Sequence, residues 1–342
     1  MQHEILTAAP LLDRKGDLAE PGWARSLLPV YCRDEIKAGK LRIKEWDYYL
    51  ITDGHIGLAL TIADNGYMGL DSISFLHFDE GWEQTKSPMR LFPRGKTGLP
   101  ETSVDGASEI ARGGYAMAFY HEDDARCLTF HMDNFRGKDA IEGIVRLTDE
   151  PRESIVIATP FDKPKHFYYN QKINCLRAEG WIELGDRRFE LTPDLFFAVL
   201  DWGRGVWTYH NTWYWGSASG LLDGVPFGWN IGYGFGNTAA ASENALFYDG
   251  TLHKLSRVTF EIPQKDSKFD YLAPWKFTSD DNRFYMDFTP VLDRSACMNA
   301  GVLKSDQHQV FGRFTGRVTL DDGTVLPVRD FFGFAERVEN KW

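Results

Sequence analysis

Between Leu200 and Gly220 the chain reads LDWGRGVWTYHNTWYWGSASG, which sets four of its 11 tryptophans beside a carboxylate, Asp201, a guanidinium, Arg204, and an imidazole, His210. A carboxyl group held against aromatic faces can pass a proton to a double bond while the π-faces steady the cationic carbon that forms. In such chemistry Asp201 is the expected proton donor, His210 or Tyr209 its partner, and Trp207 or Trp213 the wall. Read as one strand, Val206 to Trp215 alternates Trp207, Tyr209, Asn211, Trp213 and Trp215 on one face with Val206, Thr208, His210, Thr212 and Tyr214 on the other. His210 and Tyr209 then point apart, so only one of them shares a cavity with the carboxylate. Gly203 and Gly205 flank Arg204 and predict a bulge or a close backbone approach that re-aims Asp201 and Arg204. The expected ligand contacts are Trp202, Arg204, Trp207, Asn211, Trp213 and Trp215. A second reading of the same residues stands beside the first: aromatic side chains fill cores, and Asp201 with Arg204 makes a buried or rim ion pair.

Other spacings narrow the chemistry. His77 with Asp79 and His131 with Asp133 are His-x-Asp pairs without the third and fourth ligands that zinc requires, so neither a metal nor any other cofactor is expected. GYGFG at Gly232 to Gly236 lacks the terminal Lys-Ser/Thr of a phosphate loop, and no Gly-x-Ser-x-Gly elbow occurs. Nucleotide-dependent and serine-hydrolase chemistry are thereby disfavoured. Glu243, Asp249, His253, Asp287, Asp293 and Glu336 are further polar residues of the second half. Of these, Asp249 and His253 suit a hairpin turn and Asp293 a local salt bridge with Arg294. A pair of carboxylates flanking a sugar would make a glycosidase, but no spacing singles out such a pair, and a carbohydrate-active reading stays open.

The elements that must position these residues are strands. Period-two alternation dominates, as in KLRIKEWDYYLIT, GYMGLDSISFLHFD, RCLTFHMDNF and NRFYMDFTPVL, and only Asp34 to Lys40 suggests a helical turn. Asp249-Gly250 and Asp322-Gly323 lie between alternating runs and predict tight hairpins. At 342 residues the chain is long for one core, so two units are expected. Pro160 and Pro164 in PFDKPKH mark the boundary, giving units 1–170 and 171–342. An internal echo supports two related units: GWIELGDRRFELTPDLFFAVLDW from Gly180 and GRVTLDDGTVLPVRDFFGFAERV from Gly316 share a Gly, a strand, a polar turn, a second strand and a Phe-Phe pair. Many short antiparallel strands remove their edges by closing, so the fold class expected is all-β, two tandem antiparallel barrels with few short helices.

The formal net charge of −11 disfavours nucleic acid and anionic membranes as partners. The first 20 residues lack a basic region followed by an apolar stretch, and no run approaches 18 apolar residues, which points to a cytoplasmic protein without a membrane segment. Cys32, Cys127, Cys175 and Cys297 are far apart and read as four reduced thiols.

KEWDYY at Lys44, YNQKINCLRAEG at Tyr169, the Trp-rich stretch itself, ENALFYDGTLHKL at Glu243 and the C-terminal run from Phe311 to Trp342 together resemble the family called domain of unknown function 2804. More distantly, Asp201-Trp202-Gly203 and the end around Gly333 and Glu336 resemble the lipocalin-like superfamily of carotenoid hydratases and tocopherol cyclases. What the resemblance implies is a pair of lipocalin-like barrels; fold alone does not carry a reaction. The function expected is binding of a hydrophobic small molecule, fatty acyl or isoprenoid-like, in a barrel cavity. The alternatives are a cofactor-independent lyase or isomerase acting on such a ligand through Asp201, and a scaffold with filled barrels that meets a partner protein.

Overall fold

A computed structural model describes residues 2–300 and 303–341. Strands, almost all of them antiparallel, make up most of it, and among the described residues the one helical segment is a 3-10 turn at Arg33–Glu35. Two large sheets carry the fold, one of 14 strands and one of nine. The 14-stranded sheet runs from Trp82–Lys86 through Met68–His77, Ile56–Asp64, Ile43–Thr52, Phe197–Val206 and Phe167–Leu184 to Ser108–Arg112. In the nine-stranded sheet the edges are Thr251–Lys254 and Val258–Glu261, which only Leu255, Ser256 and Arg257 separate in the chain. So short a connection spans at most roughly 14 Å, and the sheet must therefore curl until its edges almost meet. The all-β, lipocalin-like architecture is thus the observed one.

The Asp249-Gly250 hairpin has both central residues at positive φ, 50° and 73°, as a two-residue turn matched to strand twist requires. Around Asp322-Gly323 the chain also reverses, joining Leu303–Thr319 to Val325–Lys341. The change of sheet lies between Val206 and His210. Residue 170 falls inside Phe167–Leu184, which pairs with Phe197–Val206 along most of that strand.

The sequence echo has a topological counterpart. Phe197–Val206 pairs with Ile43–Thr52, the first long strand of its sheet, and Val325–Lys341 pairs with His210–Leu222, the first strand of the other. In each sheet the last strand closes onto the first long one. Large apolar side chains fill both interiors: Trp202, Tyr169, Phe75 and Phe135 in one, Trp229, Trp275, Phe277 and Phe314 in the other. Two further clusters join the sheets, one around Tyr48, Leu76, Phe78, Trp215, Phe311 and Phe334, the other around Trp23, Tyr168, Trp207, Phe235 and Phe247.

Candidate functional site

The open space that the Trp-rich stretch lines lies between the two sheets, not inside either barrel. It is a cavity of about 510 Å³, within the range of small-molecule sites. The barrel location expected from the sequence is overturned because aromatic side chains already occupy both interiors. A larger groove of about 1590 Å³ runs along the loops near Lys254 and Arg283. There Lys254 donates to the Ser242 hydroxyl and the Asn244 carbonyl, and Arg283 to Asp321.

The expected continuous strand from Val206 to Trp215 breaks at Trp207, Thr208 and Tyr209, where the chain leaves one sheet and enters the other. Alternation does not carry through such a break. Trp207, Trp213 and Trp215 line the cavity together with Asp201. Tyr209 and His210 do not: Tyr209 is 48% exposed, and the His210 ring, also exposed, lies 3.3 Å from Glu339. Asn211 is turned to Thr208, whose hydroxyl and carbonyl it binds at 2.8 and 2.7 Å. Trp202 and Arg204, one and three residues after no-gap alternation from Asp201, point into the first barrel. There Trp202 meets Tyr31 and Tyr169 edge to face, and Arg204 binds Asp47 at 3.0 Å and the carbonyls of Trp46 and Pro100. The Asp201–Arg204 pair is therefore replaced by two pairs on opposite faces.

Gly203 is no bulge. It pairs in register with Asn170 on one side and Trp46 on the other, and the Trp46 indole lies across it so closely that a Cβ would stand 2.0 Å from the ring. That close approach lets Trp46 stack on Tyr168, with centroids 5.8 Å apart. Trp207, Trp213 and Phe235 continue the aromatic wall, at 5.2 Å from Trp46 to Trp207 and 4.8 Å from Trp207 to Phe235.

The polar floor consists of two matching rows. In the first sheet Tyr48, Asp201 and Lys172 stand side by side on three neighbouring strands; in the second Trp215, Glu336 and Gln309 do the same. All six line the cavity. Asp201 follows Phe196 by five residues and Glu336 follows Phe331 by five, so the duplicated hairpin delivers one carboxylate from each sheet. Trp46-x-Tyr48 and Trp213-x-Trp215 are the corresponding aromatic pairs on the two first strands.

The rows differ in the third member, and this difference sets the electrostatics. The Lys172 ammonium, 2% exposed, lies 2.8 Å from Asp201, 3.6 Å from Glu243 and 3.9 Å from the Trp215 ring centroid. Asp201 also accepts from Asn170 at 2.6 Å. Glu336 has an amide, Gln309, in the matching place; it accepts from Gln309 at 3.1 Å and from the Trp213 indole N–H at 2.9 Å. Burial pushes the Glu336 carboxyl up to about 7, only partly countered by Trp213, Arg294 and Lys172. Burial also raises Glu243, against the pull of Lys172 and Asn230. The two carboxylates of the related strands thus have unlike neighbours, an ammonium beside Asp201 and an amide beside Glu336.

Sequence reasoning did not identify Lys172, Trp46, Tyr48 or Gln309 as site residues and left Glu336 without a role. The five-residue offset from each Phe-Phe pair was the available signal for Glu336. His77 contacts Arg187, and His131 bridges the exposed Glu142 and Asp133, so neither His-x-Asp pair gathers further side chains toward the cavity.

A family model described as Domain of unknown function (DUF2804) matches residues 2–342. No curated protein matches the sequence. Among solved structures, an AttH-like protein from Nitrosomonas europaea aligns over 96% of this chain and 98% of its own, with a TM-score of 0.55 at 13% identity. Kievitone hydratase from Nectria haematococca aligns over 98% of both chains, with a TM-score of 0.49 at 9% identity. At 13% identity the first likeness bears on the fold alone.

Proposed function

The chain belongs to the family described as Domain of unknown function (DUF2804), and we propose that this member binds a hydrophobic small molecule between its two sheets. The observation that carries the reading is one cavity that joins a wall of Trp46, Tyr168, Trp207, Trp213 and Phe235 to a floor of Lys172, Asp201, Glu243 and Glu336. Aromatic faces suit a ring or polyene body, and the few convergent polar groups suit one oxygenated end. A fatty acyl or isoprenoid-like compound has that form. Mass spectrometry of the purified protein, native and after solvent extraction, tests it: a co-purifying lipid or isoprenoid supports binding. Failure of a panel of such compounds to quench tryptophan fluorescence would count against it.

A second reading, proton-transfer catalysis on that ligand, is favoured by Glu336. Its carboxyl holds a proton near neutral pH in a water-poor, aromatic setting, whereas Asp201 has an ammonium beside it. The donor is then Glu336 rather than Asp201: its proton goes to an alkene carbon, the aromatic wall steadies the cation, and either water adds and gives its surplus proton back to the Glu336 carboxylate, or that carboxylate takes a proton from a neighbouring carbon. Hydration or isomerisation of this kind needs no cofactor. Glu336→Gln should retain ligand while losing turnover; a carrier keeps its affinity and has no turnover to lose.

A further inference from the structure

At the edge of the cavity, which Cys297 also lines, the hairpin of Phe284–Ala300 and Leu303–Thr319 gathers a thiol, a carboxylate and an imidazole that the linear sequence keeps apart. Cys297 and Asp306 are directly paired across it, and His308 follows Asp306 by two residues, so that all three fall on one face. The Cys297 sulfur lies 3.2 Å from Asp306 Oδ1, and His308 Nε2 lies 3.4 Å from the same oxygen. The three candidate ligand atoms are all within 4.8 Å of one another. Donors held about 2.0–2.3 Å from a tetrahedral ion are themselves roughly 3–4 Å apart, so little movement is needed to close the set.

The imidazole is already oriented. Asp293 Oδ2 lies 2.7 Å from His308 Nδ1, and Tyr271 stacks on the ring with centroids 3.8 Å apart. A carboxylate that accepts from Nδ1–H fixes the ring with Nε2 directed at Asp306. Arg337, paired across from His308, is engaged by Glu339 at 3.4 Å and by the Tyr271 hydroxyl at 3.5 Å.

We propose that Cys297, Asp306 and His308 form a three-ligand site for a thiophilic divalent transition cation of the zinc class, with Asp293 as the positioning residue for the imidazole. The fourth position is left for water or an added ligand, the pattern of open zinc sites. Ligands from both strands would clamp the hairpin, and that hairpin also carries Arg294, Gln307 and Gln309 to the cavity wall.

Cobalt(II) titration of the metal-stripped full chain tests this. The expected result is a thiolate-to-cobalt charge-transfer band with the intense visible absorption of a four-coordinate ion, displaced by zinc. Cys297→Ser should abolish the charge-transfer band, and Asp293→Asn should weaken binding about 10–100-fold. Absence of the band in the wild-type protein overturns the proposal, as does a band that persists in Cys297→Ser, because the thiol would then be Cys32, Cys127 or Cys175. Unchanged affinity in Asp293→Asn overturns the positioning role. Circular dichroism of each variant against wild type separates loss of ligand from loss of fold.

Discussion

Replacing Glu336 by Gln should make the protein more stable at alkaline pH and leave it nearly unchanged in acid. Burial carries the folded-state carboxyl from its ordinary 4.5 to about 7, while in the unfolded chain it titrates near the ordinary value. Below about 4.5 both states hold the proton, and above about 7 neither does. Between those limits the folded protein keeps a proton that the unfolded chain has released, so stability falls as pH rises through that window. The gap, at about 1.36 kcal/mol for each pH unit, amounts to roughly 3 kcal/mol. Gln is neutral throughout and still offers an oxygen to the Trp213 indole, so the variant escapes that loss. Urea unfolding of both proteins at intervals from pH 4.5 to 8.5 measures it. The stability difference should start near zero and grow to roughly 3 kcal/mol in favour of Gln. A difference that stays flat within about 0.5 kcal/mol would refute the assignment of Glu336 as a burial-shifted acid, and with it the proton-transfer reading.

Lys172→Met leaves Asp201 and Glu243 buried without their ammonium and should cost about 3–5 kcal/mol; adding Asp201→Asn should recover part of this in the same urea experiment. Gly203→Ala puts a methyl group where the Trp46 ring lies, so the indole must leave its stack on Tyr168. The expected cost is about 1–3 kcal/mol, with a changed tryptophan emission and weaker ligand quenching; a crystal structure of the variant with Trp46 unmoved would contradict it.

Strand periodicity and the Asp-Gly hairpins determined the all-β class from sequence alone, because alternation and turn chemistry are local properties of the backbone. The family was legible for a similar reason, in contiguous runs such as YNQKINCLRAEG and the C-terminal hairpin. Aromatic density also pointed to Trp207, Trp213 and Trp215. What the sequence could not state is which surface covers a strand's outward face. Period two says that Trp202 and Asp201 look in opposite directions; it does not say that one direction is a packed barrel and the other a gap shared with a second sheet. For that reason Arg204 was expected beside Asp201 and is instead bound to Asp47, and Lys172, alone on a strand without a local signature, went unremarked. The break at Trp207 to Tyr209 was hidden too, since a chain passing between sheets keeps the composition of a strand. Only the packing of sheet against sheet brings Asp201 and Glu336, 135 positions apart in the chain, to one cavity, and only their neighbours, an ammonium for one and an amide for the other, make them chemically unequal.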